Sequence, residues 1–318
     1  MDEFELVARY FDQPQAGRKG VTLGIGDDGA VLAHTPGTES VVVTDTLVCG
    51  THFHKEHSAA SIGHRALAVN LSDIAAMGAS AEWATLNLTL PSFDESWIEQ
   101  FAASLLALAG RYDVALVGGD TTRGPLSVTM TVGGRVNTGA ALRRNGAQPG
   151  DSIYVSGLLG GAAAALERDD MRLEDALLDA LWYPQPRLDL GVALVGLAHS
   201  AIDISDGLLS DLGHVLHASA NLGADIDATR IPLYPQAERD LGHRRALELA
   251  LGGGDDYELC FTVPTARRGS VSVLEEELTL PLTCIGEVTP SGACHVRYNG
   301  RILTEPELVP GYRHTWSR

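Results

Sequence analysis

Six short clusters of aspartate beside glycine or serine punctuate the apolar runs of this chain, and they restrict its fold more than any other feature. In order they are Gly24-Ile-Gly-Asp-Asp-Gly29, Val43-Thr-Asp-Thr46, Asn70-Leu-Ser-Asp73, Val117-Gly-Gly-Asp-Thr-Thr-Arg-Gly124, Asp203-Ile-Ser-Asp-Gly207 and Gly252-Gly-Gly-Asp-Asp-Tyr-Glu258. Each alone reads as a turn or a helix cap, because Asp-Gly pairs form turns and Ser or Asp before a helix accepts its free N–H groups. Four of the six also follow strand-like or apolar segments, and the strand ends of open α/β sheets are where ligands bind. The recurrence points to an α/β chain whose loops carry a site.

The pattern between the clusters agrees. A short strand fits Val41–Thr44, and Ser58 is placed to cap a helix that runs to Met77 and stops at Gly78. Ala84–Leu90 alternates apolar and polar residues, as a half-buried strand does. A helix follows from Asp94, and strands fit Ala115–Val117 and Ser127–Val136. The turn-forming stretch Asn145–Asp151 reads as a boundary, giving an N-terminal α/β domain over 1–145 and a C-terminal one over 146–318. The second half predicts strands at Ser152–Val155, Ala201–Ile204, Tyr257–Val263 and Thr283–Val288, with helices opened by Gly157–Gly161 and Gly207 and another near Val271–Leu278.

Net charge is −18, which argues against nucleic acid, whose binding rests on Lys and Arg neutralising phosphates. Lys19 and Lys55 are the only lysines and neither follows a glycine, so a P-loop is excluded. The strand lysine and H-R-D loop of protein kinases are missing too. The start, MDEFELVARYF, places acids where an export signal carries bases, and no apolar run reaches the roughly 20 residues of a membrane span. The four cysteines form no C-x-x-C pair. A cytoplasmic chain with reduced thiols is the expectation.

Carboxylates brought together at about 4 Å repel by roughly 4 kcal/mol per pair at an effective dielectric near 20, so such a cluster needs a cation. Oxygen ligands suit Mg²⁺ or Ca²⁺ better than zinc, and magnesium characteristically bridges carboxylates and phosphates. Metal ions would then do for a nucleotide what lysine does elsewhere. Gly118-Gly119 and Gly157–Gly161 permit close backbone approach to a ligand, and Arg123 and Arg144 are candidates for phosphate contacts, against the plainer reading of solvated surface charge. Thr51–His57 holds three histidines, but no cysteine or H-E-x-x-H helix supports zinc; a polar loop facing substrate or solvent is the better reading.

Over nearly its whole length the chain resembles the thiamine-monophosphate kinases of bacteria, within the superfamily of aminoimidazole ribonucleotide synthetase and selenophosphate synthetase. The resemblance rests on Leu23–Asp28, Thr44–Val48, Ala68–Gly78, Gly118–Gly124, Ile202–Leu208 and Asp255–Cys260. It implies the two-domain synthetase-like α/β (α+β) fold and a homodimer in which N-terminal domains pair their sheets into a barrel. It implies ATP and thiamine monophosphate as substrates and Mg²⁺ as cofactor. By motif, Asp28, Thr44, Asp45, Asp73, Asp120, Asp203 and Asp206 match magnesium ligands. Gly119, Asp120, Arg144 and Ser205 match ATP contacts, and His52, Asp255 and Tyr312 match thiamine-side contacts. Selenophosphate synthetases carry a reactive cysteine near the N-terminus, whereas the first here is Cys49. The hydrogenase-maturation member ends in a cysteine, whereas this chain ends His-Thr-Trp-Ser-Arg. An aminoimidazole ribonucleotide synthetase-like enzyme is the runner-up, fitting Gly254–Leu259 less well, and a non-catalytic thiamine phosphate sensor is the alternative of another class.

An acceptor that is itself a phosphate is already anionic at neutral pH, its second pKa lying near 6. No general base and no covalent catalytic side chain is then required; the expectation is direct in-line transfer, served by alignment and charge neutralisation.

Overall fold

The structure, a computed structural model, describes residues 3–12, 20–26, 28–167, 176–304 and 311. It divides into two compact units: residues up to Ile74 with Ala79–Gly139, and Ala75–Gly78 with the chain from Ala140.

The first unit runs α1 (Glu3–Tyr10), β1 (Val21–Leu23), β2 (Val31–Leu32), β3 (Thr38–Val48), α2 (Ala59–Ala76), β4 (Ser80–Leu90), α3 (Glu95–Arg111), β5 (Ala115–Arg123) and β6 (Ser127–Asn137). Its main sheet has the order β3-β6-β4-β5. Only β4 and β5 run parallel; a parallel pair needs a long crossover, which α3 supplies. Strand alternation sends Leu86, Leu88, Val128, Met130 and Val132 to one face, and the buried apolar residues of the two helices include Leu67, Leu71, Ile98, Phe101 and Leu105. Gly63 lets α2 pass close to α3, since a Cβ there would stand 2.3 Å from the Phe101 carbonyl oxygen. Asp94 caps α3 by accepting the Trp97 N–H at 3.2 Å.

The opposite face of the sheet is rich in threonine. Thr44 bonds Thr131 at 2.9 Å and Thr46 bonds Thr129 at 2.8 Å, with Val42 exposed beside them. Two expectations are corrected here. The strand expected over Val41–Thr44 continues to Val48, and the Gly118–Arg123 motif lies within β5 rather than after it.

The second unit runs β7 (Asp151–Ser156), α4 (Gly161–Leu166), α5 (Ala176–Trp182), α6 (Leu188–Leu194), β8 (Ser200–Asp203), α7 (Leu208–Ala218), β9 (Gly223–Asp227), α8 (Pro235–Leu241), α9 (His243–Gly252), β10 (Leu259–Pro264), α10 (Arg268–Leu278), β11 (Leu282–Thr289), β12 (Cys294–Tyr298) and β13 (Arg301–Ile302). Its sheet order is β13-β12-β9-β11-β7-β10-β8. Only β12 and β9 pair in parallel, so despite the alternation of helix and strand this is an α+β layer and not an open parallel sheet. Ile153, Val155, Ile202, Leu212, Val215, Ile226 and Ile285 lie in one core cluster. No helix among the described residues is long and apolar enough to cross a membrane.

Candidate active site

In the first unit the expected residues fall into two groups. At the β3 edge, Asp45 points to the helix-covered face and shares a hydrogen bond with Asp73 of α2. Burial pushes the Asp45 carboxyl above the usual carboxylate range, against the opposing pull of Asp73 and His52. His52 Nδ1 accepts the Val48 N–H at 3.0 Å, so that nitrogen carries no proton and a neutral ring keeps its N–H at Nε2. Thr44, one residue before Asp45, takes the opposite face of the strand.

At the β5 edge, Asp28, Gly119 and Asp120 line a cleft of about 650 Å³ with Phe11 and Ile25. Gly119 is required there: its φ is +142° and a Cβ would lie 1.8 Å from the Leu86 carbonyl oxygen. The two groups do not meet within one chain. The register runs Asp45–Met130–Leu86–Gly119 across the sheet. Three strand spacings of about 4.8 Å put these edges roughly 14 Å apart.

In the second unit, Asp203 ends β8 and is buried, while Ser205 and Asp206 lie on the turn into α7. Asp211 Oδ2 accepts the N–H groups of Ser205 at 3.0 Å, Asp206 at 3.1 Å and Gly207 at 3.1 Å. Its pKa is pushed up to about 7, first by burial and then by repulsion from Asp203 and Asp206. Ligand atoms of Asp206, Asp211 and His214 lie within 4.8 Å of one another.

Asp255 has a left-handed φ of 60° and accepts the Tyr257 hydroxyl at 3.1 Å. Asp256 is raised well above the carboxylate range, chiefly by burial; its Oδ1 accepts the Gly160 N–H at 2.8 Å. Glu258 is held by Arg187 (Nε to Oε2, 2.7 Å) and by the Ser156 hydroxyl at 2.5 Å. Arg144 is exposed, but its loop is anchored: Ser219 Oγ accepts the N–H groups of Gly146 and Ala147, each at 3.1 Å. Tyr312 lies outside the described residues.

Asp211, Ser219, and the Arg187–Glu258 pair were not singled out from sequence. They are a helix residue, a helix-end residue and an ion pair 71 residues apart in the chain. Asp211 alone carried a legible signal, an acid in the first turn after Ser-Asp-Gly. The donor set suits magnesium on chemical grounds: hard oxygens dominate, and in the second unit Asp203 and Asp206 repel the buried Asp211 carboxyl.

Comparison with known proteins places the chain in a family. Residues 26–136 match the AIR synthase related protein, N-terminal domain, and residues 148–299 match its C-terminal domain. Thiamine-monophosphate kinase of Escherichia coli K12 is 49% identical over 304 residues, covering 93% of both chains. The crystal structure of the thiamine-monophosphate kinase from Stenotrophomonas maltophilia superposes with a TM-score of 0.85 at 46% identity, covering 94% of this chain and 96% of that one. AaThiL, solved in complex with AMPPCP and TMP, gives a TM-score of 0.77 at 28% identity and 89% coverage of each chain. The chain therefore belongs to the thiamine-monophosphate kinase family of the AIR synthase-related proteins.

Proposed function

We propose that this chain transfers the γ-phosphate of ATP directly to the phosphate of thiamine monophosphate, giving ADP and thiamine diphosphate, with Mg²⁺ as its cofactor. The observation that carries the reading is the grouping of carboxylates in each unit, Asp45 with Asp73 and Asp203 and Asp206 around Asp211, in a chain with two lysines. AaThiL was solved in complex with both AMPPCP and TMP. In the first unit Asp28, Thr44, Asp45, Asp73 and Asp120 would hold metal, and Gly119 opens the cleft wall for a nucleotide. In the second, Asp203 and Asp206 would hold metal while Ser205 and Arg144 bind phosphate oxygens. Magnesium, when bound, supplies charge neutralisation at the phosphates. His52, through its Nε2–H, and Asp255, with Tyr312, orient the acceptor. The test is release of ADP from ATP: it should require both thiamine monophosphate and Mg²⁺ and stop in excess EDTA. ADP release that ignores the acceptor or survives EDTA overturns the reading.

The same site calls for a second copy. Asp45 and Asp120 occupy opposite edges and opposite faces of one sheet, too far apart to serve one metal–nucleotide cluster. Its threonine-rich face is exposed, and closing two such sheets edge to edge would bring β3 of one subunit beside β5 of the other. Pairing through the N-terminal domain thus explains both. Asp45→Asn and Asp120→Asn homodimers should each be nearly inactive. A purified heterodimer of the two should recover about half of wild-type turnover, since one of its two sites is then intact. A heterodimer as poor as its parents would place each site within one subunit.

A further inference from the structure

The turn that carries Ser205 and Asp206 is clamped from both sides by its own unit. On the donor side, Asp211 takes three successive N–H groups, from Ser205, Asp206 and Gly207. On the acceptor side, the Ser205 carbonyl accepts the Asp255 N–H at 2.8 Å and the Ile204 carbonyl accepts the Tyr257 N–H at 2.8 Å. The fit leaves no slack. A Cβ on Gly254 would stand 2.5 Å from the Ser205 carbonyl oxygen, and one on Gly207 would stand 2.8 Å from the Gly252 carbonyl carbon, both at positive φ.

Three consecutive N–H groups aimed at one point, at the start of a helix, form a nest of the kind that receives phosphate. Here a carboxylate four residues beyond Gly207 already fills it. The turn is left to present side chains, the Ser205 hydroxyl and the Asp206 carboxylate. Those are groups for a cation and for a phosphate that arrives with one.

We propose that Asp211 is a positioning residue for phosphoryl transfer: by occupying the backbone nest it fixes Ser205 and Asp206 and commits this turn to metal-bound phosphate instead of bare phosphate. The proposal rests on Asp203 and Asp206 being magnesium ligands. What Asp211 contributes is an acceptor oxygen at one place, so the position of that oxygen matters more than its charge.

Asp211→Asn keeps an oxygen at the same reach without the charge, and Asp211→Glu keeps the charge but displaces the oxygen. The readout is the Mg²⁺ concentration giving half-maximal ADP binding by calorimetry, with kcat measured at saturating Mg²⁺. Asp211→Glu should raise that concentration about tenfold or more, while Asp211→Asn stays within about threefold of wild type. At saturating Mg²⁺ the kcat of Asp211→Glu should remain lowered by about threefold or more, because Ser205 is displaced along with Asp206. Wild-type behaviour of Asp211→Glu overturns the proposal. So does an Asp211→Asn variant with a tenfold shift of its own, which would make Asp211 a charged ligand. If Asp211→Glu does not fold, the Asn variant still decides by the same threshold. ADP binding by the wild type that ignores Mg²⁺ would overturn the magnesium reading as well, and so is distinguishable from a failure confined to Asp211.

Discussion

Asp45→Asn should lower kcat/KM by at least about two orders of magnitude, roughly 2.7 kcal/mol of transition-state stabilisation, while leaving the protein folded. Asp45 sits in mid-strand, hydrogen-bonded to Asp73, with its carboxyl raised by burial. Without metal, two carboxyl groups at one place are most stable when they share a proton, and an amide reproduces that hydrogen bond without ionising. The sign of the stability effect follows. A carboxyl whose folded pKa lies above its unfolded value favours the fold at low pH, and that contribution is lost as pH rises through the folded pKa. At neutral pH the ionised Asp45 is therefore a liability to the metal-free fold, and the Asn variant should melt no lower than wild type. With metal the balance reverses, because the amide supplies one neutral oxygen in place of an anionic ligand. Steady-state kinetics and thermal midpoints check both halves. Near-normal turnover would remove Asp45 from the metal set, and a variant that fails to fold would make its role structural.

The edges of the elements show what the sequence could and could not reveal. Ala84–Leu90 and Ser127–Val136 were legible because one face of each strand is buried and the alternation is clean. The end of β3 was not: Asp45 is a poor strand former set between two threonines, and what holds it extended is eleven residues of pairing with β6, a tertiary fact. Gly118-Gly119-Asp120 carries turn chemistry, yet it lies in β5 because Gly119 lets the strand pass hard against Leu86 of β4. The short α8 and α9 lack a long apolar period and were missed, although Pro235 opens α8 at a position that suits proline.

The candidate site divides along the same line. Aspartates in motifs were readable one by one. Their grouping depended on register, which separates Asp45 from Asp120 and could not be known before the strand order β3-β6-β4-β5. Asp211 was legible only as an acid in the first turn of a helix, which ordinarily reads as a solvated surface charge, and its part in the site shows in the three N–H groups converging on it.

The central claim is that a phosphate oxygen, already anionic, is the nucleophile. Thiamine itself offers only a hydroxyl, which must lose a proton to a positioned base, a contribution of about two to four orders of magnitude. The imidazole nearest the Asp45 group is ill suited to that task, because His52 Nδ1 is occupied by the Val48 N–H and Nε2 carries the proton of the neutral ring. Thiamine also lacks the phosphate oxygens through which a metal would align it. The deciding measurement follows ATP labelled at the γ-phosphate, with thiamine monophosphate and thiamine compared as acceptors at equal concentration. The account predicts labelled thiamine diphosphate, in step with ADP release, from the monophosphate, and turnover of thiamine lower by about two orders of magnitude or more. Comparable rates for the two acceptors would contradict it.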